Sequence, residues 1–278
     1  MANTYRSNTA LAVAIVLLAV LFSTAVNTWV SVRGVVGPTI ALAASPTSAA
    51  LATAGVLAVG LLIALALARM VNAVVALFAL GCGVGIIAMR SGTIADFSMT
   101  GSSLLALAGE TLLWVPVVAA LSIFIFRFGG PLPDAVPIEN PRRDGMLGLM
   151  GVGTMTMGPL VLLGVWAIAV VHVKGQVLGA TIVGSLLVGL AGRLLAPITP
   201  PALLYAAPVL FGAAGHAVAH ILLKGAPLRS AFVTESLVRF AYAMPIDYVT
   251  GSLVGVSLGI GVARSFFRTE TVDANASA

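Results

Sequence analysis

Few residues of this chain could do chemistry, and they are widely spaced. Glu110 is the most conspicuous, a carboxylate in an apolar stretch with Ser103 and Trp114 on the same helix face. If that stretch starts at Leu104, the acid lies about two turns deep, where an unpaired carboxylate is costly and marks a proton or cation site. If it starts at Thr111, Glu110 sits in the first turn at the headgroups, where an acid suits the helix dipole. Length alone leaves both placements open.

His216 and His220 stand four residues apart, on one face with Tyr205 and Gly212. That spacing can bring two imidazoles to one metal, as in HExxH helices. Here the intervening residues are Ala-Val-Ala, no Glu serves as base, and a third ligand would have to come from another helix. No metal is therefore expected. The pair reads either as a polar stripe lining a hydrated cavity or as ordinary hydrogen-bonded histidines. Arg193, at the end of its own apolar stretch, can snorkel to water or pair with Glu110. Asp247 follows Met244-Pro245-Ile246 and fits a helix start, where proline is favoured first and an acid suits the first turn. The single cysteine, Cys82, excludes an internal disulfide and any CxxC motif. Its Gly81-Cys82-Gly83 setting reads as that of a small packed hydrophobe. Walker A and HExxH patterns are absent, so neither a catalytic set nor a cofactor is expected.

One pattern speaks of packing rather than chemistry. Gly251, Gly255 and Gly259, continued by Ala263, recur every four residues. Aligned small residues let another helix backbone approach closely, the main source of helix–helix adhesion in lipid. The facing surface is a helix of the same chain or of a partner.

The elements that must carry these residues follow from composition. Of 278 residues 60% are apolar and 8% charged, against roughly 25% charged in soluble domains. Such a chain cannot cover a water-facing surface, and the lipid bilayer must be its solvent. The net charge of +5 comes from basic residues dispersed singly, which meet anionic headgroups. With no basic cluster to follow a phosphate backbone, nucleic acid is excluded as a partner.

A span needs about 20 apolar residues. By that test residues 10–30, 51–68, 73–89, 104–126, 146–171, 176–192, 203–223 and 246–263 are spans. The first, with a basic start and Ser23-Thr24-Ala25, also has the pattern of a cleavable signal. Its apolar run continues past Ala25, which favours a retained helix ending at Trp29 as an interfacial anchor. Residues 33–48 read as an interfacial loop, and 228–243 as an interfacial helix with Glu235 and Arg239 paired four apart. Residues 127–145, with four prolines, read as an extended hydrophilic connection.

The fold class is therefore all-α: a polytopic bundle of about eight transmembrane helices, with halves 1–126 and 146–278 joined by 127–145. Eight of the 14 Lys and Arg fall on the side of the termini, a faint positive-inside bias. A faint echo between Gly184-Ser185-Leu186 and Gly251-Ser252-Leu253 leaves an internal repeat open. The expected setting is a bacterial cytoplasmic (inner) membrane. The functional expectation is a small transporter or channel-like protein whose polar pathway uses Glu110, His216, His220, Tyr205 and Arg193, with Pro116, Pro159 and Pro208 as helix breaks. The alternative is a structural or assembly subunit whose glycine seams bind a partner protein or a second copy. An intramembrane enzyme stands third.

Overall fold

The computed structural model describes residues 2–129 and 141–276, and most of the predicted connection 127–145 lies outside them. Eight segments are long and apolar enough to cross a membrane. They are α1 (Arg6–Trp29), α2 (Pro46–Met70), α3 (Ala73–Arg90), α4 (Leu104–Phe128), α5 (Arg142–Ile168), α6 (Lys174–Leu195), α7 (Leu203–Leu222) and α8 (Pro245–Phe266). Among the described residues the only extended pairing is an isolated antiparallel bridge, Val30 with Val36. The chain is an all-α, multi-pass membrane protein. Eight crossings return both ends to one face, here the lower face. The connections 30–45, 91–103, 169–173 and 223–244 lie on the upper one.

α8 is the centre. Its membrane-crossing window is 83% buried, against 28% for α1 and 33% for α2. Around it stand α3, α4, α6 and α7; α1 and α2 pack outside α3, and α5 packs outside α6 and α7. Helices of both halves thus share one core. The close packing follows from glycine. Gly81 of α3 has Leu253 and Val254 of α8 against it, and Gly212 of α7 has the Tyr248 ring. Where α6 crosses α5, Gly184 faces Val161 and Gly164. α1 fills a place in this bundle, with Leu18 and Phe22 fully buried against Gly83 of α3.

The glycine seam runs along α8 and is filled by α6. A Cβ at Gly251 would lie 2.7 Å from the Thr181 side chain, and one at Gly255 2.8 Å from the Ser185 side chain. At Gly259 the obstructing atoms are the backbone of Leu186 and Leu190. Of the echoing Gly-Ser-Leu segments, Ser185 and Leu186 of α6 and Gly251 of α8 line this seam, whereas Gly184 faces α5 and Leu253 faces α3. Since the chain's own helix occupies it, the seam presents no free face to a partner.

Several local expectations need correction. Trp29 is not an interfacial anchor: it is 1% exposed, and its Nε1 donates to Thr53 Oγ1 at 2.9 Å. Pro116 lies inside an unbroken helix and Pro208 in the first turn of one, so neither breaks a span. Only α5 is interrupted, as a helical turn Leu149–Gly153, a 3-10 turn Thr154–Met157 and a helix Leu160–Ile168 after Pro159. Proline lacks the amide and crowds the preceding turn. The interfacial segment is α-helical only over Leu228–Val233, with a separate 3-10 turn at Arg239–Ala241. Glu235 then takes a left-handed φ of 54°, which destroys the i, i+4 geometry. Ion pairs among the described residues join Arg143 to Asp144 and Lys174 to Asp247, not Glu235 to Arg239.

Candidate functional site

Polar side chains gather in four places, best built from the upper face downward. The first is the start of α8. Pro245 occupies the first turn, and Asp247 Oδ2 accepts the Met244 amide at 2.9 Å, closing a capping box. Its other oxygen lies 2.8 Å from Lys174 Nζ at the start of α6, with Asp247 fully buried and the Lys174 side chain 13% exposed. Lys174 Nζ also donates to Gly92 O at 3.4 Å, and Gly92 N donates to Gly37 O at 3.2 Å. A chain of bonds thus runs from this carboxylate through Lys174 and Gly92 to Gly37, linking upper-face segments in series. Thr181 Oγ1, two turns further along α6, donates to Asp247 O at 3.1 Å.

The second set is His216. It is fully buried, 3.2 Å from Thr111 Oγ1 through Nδ1 and 2.8 Å from Ala243 O through Nε2. A carbonyl only accepts, so Nε2 carries the hydrogen and Nδ1 of the neutral ring is left to accept. The Thr111 hydroxyl is shared with Leu107 O at 2.7 Å. The Tyr248 ring meets the imidazole edge-on with centroids 5.7 Å apart, and Tyr248 OH donates to Phe240 O at 2.8 Å. Every polar atom of the imidazole and of the two hydroxyls has a partner.

The third is Glu110. α4 begins at Leu104, which puts the residue six positions inside the helix. The cost of a carboxylate there is met by backbone. Loop 30–45 folds back over α4, and its 3-10 turn Ile40–Leu42 presents its first two amides to the acid. Ile40 N donates to Oε1 at 3.0 Å and Ala41 N to Oε2 at 3.4 Å. These are the orphan donors of a helix start, capped by a side chain from a distant helix. Glu110 also lines a groove of about 790 Å³ between α2 and α4, with Ala50, Ala54, Leu57, Leu113 and Trp114.

The fourth set lies in the lower half. Tyr205 is fully buried and its OH is 2.9 Å from Ser257 Oγ. Ser252 Oγ donates to the Tyr205 carbonyl. Between those serines α8 departs from regular winding, with Ser252–Val256 forming a turn of π-helix. Such turns recur at functional sites. Arg193 is nearby in depth, 2% exposed, with Nη1 donating to Thr199 O at 3.1 Å. It holds the turn after α6 instead of snorkelling to water.

The five residues predicted to line one pathway are therefore not brought together. Glu110 is on the upper half of α4, and Arg193 is about 29 Å along α6 from upper-face Lys174 at 1.5 Å per residue. Tyr205 and His216 are about 16 Å apart along α7 by the same rise. His220 opens into a separate upper-face cup of about 540 Å³ with Ser98, Ser103 and Arg229. No described cavity holds both Glu110 and a histidine. No group of three His, Cys, Asp or Glu capable of holding a metal occurs among the described residues. The Lys174–Asp247 pair escaped the sequence reading, which assigned Asp247 to its helix start alone. A basic residue opening one span and an acid opening another on the same face was the available signal.

No protein-family model, curated protein or solved structure matches this chain. Any functional reading therefore stands on the geometry alone.

Proposed function

We propose that the protein is a structural or assembly subunit of a membrane complex, one that moves no solute. The observation carrying this reading is that the ionisable and aromatic polar groups deep in the bundle are each held by backbone or by a near neighbour. His216, Tyr205, Arg193 and Asp247 each bond to backbone or to a neighbouring side chain, and they fall into separate sets. A solute pathway needs such groups to converge on a common site near the midplane. Here they instead fix the connections and the crossing of α6 and α8. Helical spans suit a bacterial cytoplasmic (inner) membrane, the outer membrane being the home of barrels. A partner protein, or a second copy, would meet the outward faces of α1, α2 and α5, because the glycine seam is occupied.

The transporter reading is second and has one observation in its favour. A π turn sits in the central helix, between a buried ion pair and a buried tyrosine, where a moving element would be hinged. Reconstitution into sealed vesicles separates the two. With proton, sodium or potassium gradients and entrapped indicator dyes, flux should equal that of protein-free vesicles. Flux above that level, abolished by Glu110→Gln or His216→Phe, would sink the assembly reading.

A further inference from the structure

We propose that the groove between α2 and α4 binds a membrane lipid bearing a primary ammonium headgroup, of the phosphatidylethanolamine type, with the ammonium on Glu110. The groove holds about 790 Å³, within the roughly 300–1,000 Å³ of small-molecule sites, which pair apolar walls with a few placed polar groups. Its walls are Ala, Ile, Leu, Pro, Trp and Val side chains, one glycine, two threonines and one charge, Glu110, with no basic residue among them. An occupant must therefore bring the positive charge.

The carboxylate has capacity for it. Each Glu110 oxygen accepts one loop amide, whereas a carboxylate offers about four lone-pair sites. A primary ammonium has three N–H donors to fill the remainder; a trimethylated headgroup has none. The groove's length argues for a lipid over a partner helix. It runs from Pro46 to Leu57 on α2 and from Ala106 to Val117 on α4, about 16 Å on each at the α-helical rise. That is about half of a hydrocarbon core of about 30 Å, the depth of one leaflet. A transmembrane partner would call for a trough across both. Glu110 lies near the upper end, under the loop, where a headgroup's amine would enter as its chains run down to Leu57 and Val117.

The test uses the full chain in non-ionic detergent, offered equal amounts of phosphatidylethanolamine, phosphatidylcholine and phosphatidylglycerol, with retained lipid read by native mass spectrometry. The ethanolamine lipid should be retained about tenfold over the other two, the worth of one charge-assisted hydrogen bond. Glu110→Gln should remove that preference. Ala54→Trp fills the groove while leaving the carboxylate and its loop in place, and should lower retention of all three lipids. Equal retention of the three lipids by the unaltered protein would overturn the proposal. So would an unchanged preference in Glu110→Gln, or a polypeptide in the groove in place of lipid.

Discussion

Asp247 and Glu110 are both acids near the upper ends of membrane helices, and the bundle treats them in opposite ways. Asp247 lies in the central helix, fully buried, and meets a cation from a second helix and the amide of its own helix start. Glu110 lies on a peripheral helix beside a lipid-open groove, and is met by two loop amides and no cation. Asp247 is in the first turn of its helix and Glu110 six positions inside its own. Yet the more shallowly set acid is the fully buried one, because the place of each helix in the bundle decides. A central acid has neighbours on all sides and can be neutralised by one. A peripheral acid needs the loop to come to it, and keeps an open side.

The comparison breaks most readily at Lys174. Lys174→Ala leaves a buried, uncompensated carboxylate at Asp247 and should cost about 3–5 kcal/mol, as removal of one partner of a buried pair does. Thermal unfolding in detergent reads the loss. Lys174→Met combined with Asp247→Asn should recover a large part of it. If the single variant is as stable as the parent, Asp247 is not the tie we describe.

Gly255→Leu comes next. A side chain there must displace the backbone of Ile182 and the Ser185 side chain, and overpacking of this kind costs about 1–3 kcal/mol. Unchanged stability would mean that α6 and α8 part easily. Glu110→Ala should cost about 1 kcal/mol, the worth of a lost cap, and the effect should be local. Faster amide exchange at Ile40 and Ala41 with an unshifted global midpoint is the expected pair of results; a global loss as large as that of Lys174→Ala would erase the contrast between the acids. Tyr205→Phe is the smallest, about 0.5–1 kcal/mol for one hydrogen bond, because Ser257 keeps its bond to Leu253 O. A drop several times larger would give the π turn an anchoring role beyond that bond.

The spans were legible because hydrocarbon leaves little choice: about 20 apolar residues mark each crossing. Even the order of burial was partly written in composition. α7 and α8 are the least apolar of the eight and the most buried, whereas α1 and α2 are the most apolar and among the least buried. Spans facing lipid are selected for greasiness, and spans facing protein hold the glycines and hydroxyls that need neighbours. α5 does not follow that order. The site was less legible. Glu110's depth was undecidable because its partners are backbone amides of a loop 70 residues earlier, and amides carry no sequence signature. His216 was grouped with His220 by spacing, yet one turn of helix separates a sealed interior from an open cup. Periodicity gives the face of a helix, not what lies opposite.

The π turn in α8 has a consequence for chain length. Two turns of α-helix take about 7.2 residues, whereas Gly251 and Gly259 are eight positions apart and both face α6. The looser winding of Ser252–Val256 absorbs that surplus residue, and Ser257 Oγ, donating to Leu253 O at 2.7 Å, serves a carbonyl there. α8 therefore has a place where its length is negotiable. Deleting one residue within 252–256 would let the segment wind regularly with both ends still in phase. The same deletion in the stretch that follows would turn everything beyond it by about 100°, swinging Ala263 away from its neighbours. Single-residue deletions in this helix should be tolerated at its irregular turn and rejected elsewhere.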